Sequence, residues 1–493
     1  MVHYVRTATC LQSTNEPRIH NSRTNHLGRE ITLCYALRTK MPTPLPPFHL
    51  AYVFERFPSF TQTFCAREIL ELEQLGLRPL IFSIHDTRAE NIRHFPAELF
   101  DRVHVLPPSD ELVEIVKGRK DRNEFPQGVV LTLRHWGDRP DKLRVYEAAY
   151  IGSEMQRHGV HHAHSHFAGI GARACWWMRA FYGHTFSFTG HANDIFCDPD
   201  CDNVITLDRL MRDAALVVSV SDYSVKRLAE SHPAAAAKIH RVYNGLDLQP
   251  FEKAIGGEKC TPPAILSVGR LIEKKGFDDL IRAMAILKEK RIACICKIVG
   301  EGPLHGKLAH LIEETQTGDT VQLLGPKSQD QIVNLLGQAS IFALPCVTEH
   351  DGGMDNLPTV IMEAMAAGLP CVSTVLAGVP EMVIDGANGR LVPERHPAAF
   401  AEALAELLGN SENRTSMGTT GLRRAREHFA KEVTAARLAK LLIQNGTVRY
   451  DAELIRRHTA STSDYITQFM LRMKRGISGT SRPMKRPLEQ HRL

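Results

Sequence analysis

Two carboxylates, Asp355 and Glu363, stand eight residues apart in MDNLPTVIMEAMAAGLP, at 354–370. Asp355 ends a Gly- and Asp-rich loop, EHDGGMD. Pro358 is placed to open a helix, because its fixed φ and missing N–H suit a first helical position. Glu363 then falls in the second turn, and the small run AMAAG lets that helix pack close to its neighbours. A helix opening presents unpaired backbone N–H groups and the positive end of a dipole, which suits a diphosphate. A carboxylate on each side can accept hydrogen bonds from sugar hydroxyls. Loop acid, helix start and helix acid together describe a sugar-nucleotide pocket. The spacing alone is weak, since a solvated loop Asp and a helix Glu give the same pattern.

The residues around it add weight. In ILSVGRLIEKKGFDDLIRAMAIL, at 265–287, a short apolar run reads as a buried strand. Gly269 lets the chain turn, and Arg270 and Lys275 leave the turn before an amphipathic helix, 277–287. Cations at the C-terminal end of such a strand are where an α/β protein places phosphate contacts. Both are expected to point into a solvent-filled cleft; the bland alternative is a surface charge cluster. FPSFTQTF, at 57–64, follows the first strand, where a ligand loop would lie, and carries Ser59, Thr61 and Thr63. Helix capping by Ser59 or Thr61 is the alternative. In HHAHSHF, at 161–167, His164 and His166 alternate and so share one face of a strand. They suggest a metal tract, against which a structural or cleft-lining role is preferred.

Taken together, these residues resemble the retaining glycosyltransferases of family 4, with the GT-B fold. GRLIEKKG at 269–276 and the D-x7-E of Asp355 and Glu363 match that family's G-R-L-x-x-x-K-G and E-x7-E. Further pieces are FTGHANDIF at 188–196, VSVSDYSVKRL at 218–228, RVYNGLD at 241–247, IVGEGPL at 298–304 and LLGP at 323–326. The likeness covers residues 48–440. It departs at Asp355, where the family has Glu, so a shorter side chain must reach the sugar from a closer backbone.

The resemblance implies the α/β GT-B fold: two Rossmann-like β/α/β domains facing across a cleft. It places His191 at the donor sugar near the reacting carbon, and the Ser59–Thr61–Thr63 loop with His166 on the acceptor side. Gly269, Glu301, Gly302, Gly325, Leu357, Pro358 and Thr359 would contact the donor, glycine allowing close approach to a flat ring. Arg270 and Lys275 would neutralise the departing diphosphate. Glu363 would hold the ribose, Asp355 the sugar hydroxyls, and His191 would brace the sugar. No cofactor is expected, and no metal: CDPDCD, at 197–202, resembles the ion-binding D-x-D of another transferase fold, but GT-B enzymes use cations and a helix dipole instead.

Length and composition fit. A chain of 493 residues should form more than one domain. No uncharged apolar run of about 18 residues suggests a membrane span. Trp176 and Trp177 read as core. The 11 cysteines are scattered without zinc spacing, so reduced thiols in a cytoplasmic protein are the default. The net charge of +5 lives at the ends: residues 1–47 carry +4 and residues 449–493 carry +6, leaving the middle at −5. Nothing in the body suggests nucleic-acid binding.

The β/α alternation divides the chain into an N-terminal acceptor-side domain, 48–244, and a C-terminal nucleotide-sugar domain, 245–440. NGLD, at 244–247, reads as the turn between them. Residues 1–47 form an extension expected to be disordered or untranslated, with a mitochondrial transit peptide as the rival reading. Residues 441–493 are expected to form a last helix and a basic tail. Its segment SDYITQFMLRMKRGI, at 463–477, suits either packing on the first domain or peripheral contact with an anionic membrane.

The expected partners are a nucleotide-sugar donor, UDP-linked before GDP-linked, and a glycan or polyprenyl-linked acceptor. The expected reaction is retaining hexosyl transfer in exopolysaccharide biosynthesis. Two alternatives stand beside it: a sugar-nucleotide epimerase on the same scaffold, and an inactive nucleotide-sugar sensor with Asp355 as the inactivating change.

Overall fold

A computed structural model describes residues 49–59, 62–88, 96–135, 141–196 and 204–445. The 1–47 extension, Thr61, the 197–202 loop and the basic tail from 446 onward lie outside the described residues.

Among the described residues, thirteen strands form two sheets. The first contains β1 (Leu50–Arg56), β2 (Pro79–His85), β3 (Val103–Val105), β4 (His162–His166), β5 (Thr185–Gly190), β6 (Leu216–Ser219) and β7 (Ile239–Arg241). Their order is β3-β2-β1-β4-β5-β6-β7. The second contains β8 (Ala264–Val268), β9 (Ile295–Val299), β10 (Val321–Leu323), β11 (Ile341–Leu344), β12 (Cys371–Thr374) and β13 (Gly389–Val392), in the order β10-β9-β8-β11-β12-β13. Every named strand pair is parallel. In each sheet the chain starts at the centre, runs to one edge, then returns to build the other half. The order therefore reverses between β1 and β4, and between β8 and β11. At such a reversal the connections leave in opposite directions and open a crevice beyond the strand ends, where α/β proteins bind ligands.

Parallel sheets are covered on both faces, so their strands should be apolar throughout. Leu50 to Phe54 and Ala264 to Leu266 obey this, each at most 1% exposed. Strand β4, HAHSH, is equally buried yet polar. Its register against β5 resolves the conflict, because His162, His164 and His166 face Thr185, Ser187 and Thr189. His162 reaches Thr185 Oγ1 at 2.9 Å and Ser187 Oγ at 2.8 Å. His164 reaches Ser187 Oγ at 2.7 Å and Thr189 Oγ1 at 3.1 Å. Buried polar groups persist when so paired.

The helix Thr63–Gln74 buries Cys65, Ala66, Ile69 and Leu72, one helical stripe, and gives way to Gly76 at φ +84°. Against it lies the helix Lys431–Gln444, whose Leu438, Ala439 and Leu442 join the core beneath β1. Residues 431–440 thus pack with the first sheet, a correction to the expected second-domain span 245–440. NGLD also proves different from a turn. The chain is extended there, and Leu246 bridges Ala430 in parallel, its N–H donating to Phe429 O at 2.8 Å and its carbonyl accepting from Lys431 N at 3.0 Å. The outgoing and returning crossings are tied together.

Trp177 is buried, while Trp176 is half-buried and donates to Asp213 Oδ2 at 2.7 Å. The described cysteines are all free thiols. Among the described residues, no helix is long and apolar enough to cross a membrane.

Candidate functional site

Beyond the end of β8 the chain turns at Gly269 and is held from below by the exit of β9. Gly269 N–H donates to Val299 O at 3.0 Å, and Leu271 N–H to Glu301 O at 2.8 Å. The fit needs glycine at 300: φ is +140°, and a Cβ there would lie 1.9 Å from Gly269 O. Gly302 packs against Leu271 in the same way. Gly325 closes the group, its carbonyl accepting from Gly300 N–H at 3.0 Å. The Glu301 residue is exposed.

Arg270 is exposed, and no ion-pair partner is seen for it among the described residues. Lys275 differs from expectation. It ends a short turn, Glu273–Lys275, pinned to the end of β11 because Gly276 sits against Pro345 O. Its side chain is only 13% exposed, and its ammonium pairs with the Asp355 carboxylate. Lys274 Nζ approaches the other Asp355 oxygen at 3.7 Å. Burial alone would depress the Lys275 ammonium, but Asp355 outweighs it and holds the group above the ordinary lysine range. The reading of Lys275 as a cation facing open solvent is therefore corrected: it is the partner of the loop acid.

From Asp355 the chain passes through Asn356, Leu357 and Pro358, all buried, into the helix Thr359–Ala366. Pro358 is the residue before the helix rather than its first, and no side chain caps that end. Ile361 N–H donates to Pro358 O at 3.0 Å, and the N–H groups of Thr359 and Val360 are left for solvent or a ligand. Leu357 packs into the core of the second sheet. Glu363 is half-buried, and its carboxyl is raised to about 7 by burial, opposed by Arg67 and Lys275.

Arg67 is a residue the sequence did not mark. It rises from the helix Thr63–Gln74 under the first sheet, and its Nε donates to Gly245 O at 3.0 Å in the crossing segment. Burial depresses its guanidinium, opposed by Glu363 and Asp247. A cation of one domain thus stands within electrostatic reach of an acid of the other. Nothing in an arginine one helical turn into CAREILELEQ signals this in the sequence.

His191 follows the end of β5, one strand beyond the reversal of the first sheet. Asp194 fixes its loop by accepting from the N–H groups of His191 at 3.1 Å, Ala192 at 2.8 Å and Ala168 at 3.0 Å. The His191 carbonyl accepts from Asn356 Nδ2 at 2.6 Å, which joins it to the residue after Asp355. Asn356 also accepts from Ser221 Oγ at 2.5 Å and donates to Ser224 Oγ at 3.1 Å. Nearby, Glu381 caps the helix Asp222–Ser231 from the opposite domain, accepting from Asp222 and Tyr223 N–H at 2.8 and 2.9 Å. The signal for this docking was present in VSVSDYS and MDNLP, but only as separate pieces.

His166 stands behind His191 rather than on the cleft wall. It is 4% exposed, with Nδ1 3.0 Å from His191 Nε2 and Nε2 2.9 Å from Glu68 Oε1. Its burial fits the structural role preferred for the H-x-H histidines. Glu68, His164 and His166 are spaced closely enough to hold a metal ion. The ring nitrogens of both histidines already face Ser187, Thr189, His191 or Glu68, so a metal would have to displace these partners. Ser59 and Thr63 are half-buried; the helix after them opens at Gln62 without a side-chain cap, which removes Ser59 as its cap. Phe64 of the same loop lies against the His191 ring, centroids 4.8 Å apart.

Residues 249–424 match the family described as "Glycosyl transferases group 1". WcaL of Escherichia coli K12, which carries the name of a colanic acid biosynthesis glycosyltransferase, is 37% identical over 239 residues, 48% of this chain and 58% of that protein. The amylovoran biosynthesis glycosyltransferase AmsK of Erwinia amylovora is 32% identical over 235 residues, 48% of this chain and 57% of that protein. The chain thus spans less than two thirds of the length of these relatives. Among solved structures, Anabaena Alr3699/HepE in complex with UDP superposes with a TM-score of 0.58 at 16% identity, over 80% of this chain and 100% of that one. A glycosyltransferase from Rickettsia africae gives 0.59 at 16%, over 81% and 98%. Such identities speak for the fold alone. Residues 249–424 thus carry the match to glycosyl transferases group 1, in a chain with the two parallel-sheet domains of the GT-B fold.

Proposed function

We propose that this chain transfers a hexose from a nucleotide sugar, UDP-linked, to a glycan or polyprenyl-linked acceptor in exopolysaccharide assembly, with retention at the anomeric carbon. One observation carries the reading. At the reversal of the second sheet, an exposed Arg270, a Lys275–Asp355 pair, an uncapped helix start and Glu363 converge, while Asn356 beside them is docked to His191 of the first domain.

In this reading Arg270, Lys275 and the N–H groups at Thr359 take up charge as the diphosphate departs. The Lys275–Asp355 pair orients Asp355 toward the sugar hydroxyls. Glu363 accepts from the ribose, His191 braces the sugar ring, and the leaving phosphate takes the acceptor proton on the same face. No metal step is invoked. Working at the cytoplasmic face of a membrane would suit a lipid-linked acceptor. The names WcaL and AmsK favour polysaccharide assembly. HepE was solved with UDP-glucose, whereas a Mycolicibacterium smegmatis relative, 29% identical, is named as GDP-mannose-dependent.

Incubation with labelled UDP- and GDP-sugars tests the proposal. Transfer, or slow hydrolysis of a UDP-hexose, is expected. Epimer formation, or binding with no turnover across the panel, would overturn it.

A further inference from the structure

The polar ladder of β4 and β5 pairs histidine with Ser or Thr until its last rung. There His166 meets Glu68 on one side and His191 on the other, at 2.9 and 3.0 Å. Tyr52 O–H donates to the same Glu68 oxygen at 2.5 Å. An ionised carboxylate only accepts hydrogen bonds, so His166 Nε2 must carry a proton. With a single proton on its ring, His166 offers Nδ1 as a lone pair, to which His191 Nε2 donates. The His191 proton is thereby fixed on Nε2, leaving Nδ1 as an acceptor. The opposite assignment needs a His166 lone pair against a carboxylate 2.9 Å away, or a second proton on His166, whose buried ring stacks on those of His191 and Phe54.

The outer face of His191 fits this. Among the described residues its Nδ1 has no hydrogen-bond partner, and it is not one of the sealed, unsatisfied polar atoms. Phe64 and Phe167 both pack against the ring, centroids 4.8 and 4.5 Å away. Burial, with His166 and His164 nearby, keeps the ring neutral.

We propose that Glu68 and His166 are positioning residues that lock the tautomer of His191, so that its Nδ1 accepts a hydrogen bond from a hydroxyl of the bound sugar. The sugar half rests on the glycosyl-transfer reading; the lock itself does not. The lock would keep a brace of fixed polarity beside the reacting ring without placing a charge there.

The first readout needs no substrate. In the full chain labelled with ¹⁵N-histidine, ring correlation spectra should show His191, assigned by its loss in His191→Gln, as neutral with Nε2 protonated. Glu68→Gln should preserve that state, because the amide oxygen still accepts from His166. Glu68→Leu should release a mixture of tautomers. A His191 protonated on Nδ1 in the native chain, or unchanged in Glu68→Leu, would overturn the lock. The second readout is turnover of the labelled donor. Glu68→Leu and His166→Leu should lower kcat about tenfold or more with little change in KM. Glu68→Gln and His166→Asn should recover most of it, the Asn oxygen replacing Nδ1. Equal losses in the Leu and polar variants, or losses that only track melting temperature, would overturn the role. The expected spectra in a protein that turns over no nucleotide sugar would support the lock and sink the transfer reading.

Discussion

Lys275 and Asp355 form the tightest charge pair of the site, and each is mostly buried. Removing one partner leaves the other charge desolvated. Lys275→Ala should therefore cost about 3 kcal/mol in urea unfolding, and adding Asp355→Leu should recover part of it. Equal stability of Lys275→Ala and the native chain would show that solvent already screens the pair. Asp355→Glu should keep activity, since the longer carboxylate still reaches Lys275. Glu363 predicts a pH effect. Its carboxyl ionises only near 7, mainly because it is buried, whereas an unfolded Glu ionises near 4.5. The folded state holds the extra proton between these values, so this group's contribution to stability falls as pH rises from 4.5 to 7. If the carboxylate accepts from a ribose, UDP affinity should instead rise through pH 7, and Glu363→Gln should flatten that rise in titration calorimetry. An unchanged profile would remove Glu363 from the ribose site. The sequence showed these residues and their order, because the GRL turn and the D-x7-E pair lie in short continuous segments. It did not show the Lys275–Asp355 pair or Arg67, because a contact across 80 residues or between domains leaves no periodicity.

At the scale of elements, periodicity revealed most strands and their helices. The first strand, the apolar run of β8 and the helix that follows the GRL turn stand at their expected places. β7 and β13 escaped because IHR and GRLV are too short and mixed to show a pattern. Strand β4 was read as polar and strand-like, but its burial depends on hydroxyls that β5 supplies. The loop carrying Asn356 also needs its counterpart. Asn356→Ala would remove its bonds to His191, Ser221 and Ser224 and leave a buried carbonyl without a donor. A loss of about 1–3 kcal/mol in thermal unfolding is expected, with lower kcat. Full stability and activity would mean that water replaces the amide.

For the whole molecule, the alternation of strand and helix was sufficient to read two parallel sheets. The return of the chain was not legible: nothing in KEVTAARLAKLLIQ says which domain its apolar face covers. The structure puts Leu438 and Leu442 against Ile69 and Leu72, with Lys431 Nζ 2.9 Å from Glu71. Burying each leucine is worth about 1.5–3 kcal/mol. A chain ending at 430 should therefore melt well below the full chain and bind a hydrophobic dye, while unchanged melting would assign the helix no structural role. The tied crossings at Leu246 and the Asn356–His191 hydrogen bond join the two sheets' domains beside the candidate site.

The cleanest test of that shared site is Arg270→Ala. Arg270 is exposed and shows no ion pair among the described residues, so its loss should leave the fold intact. The measurement is turnover of the labelled nucleotide sugar that the native chain accepts, with melting temperature followed in parallel. The account predicts a fall of about 100-fold or more at unchanged melting temperature. Near-normal turnover would contradict the placing of the departing diphosphate at the end of β8.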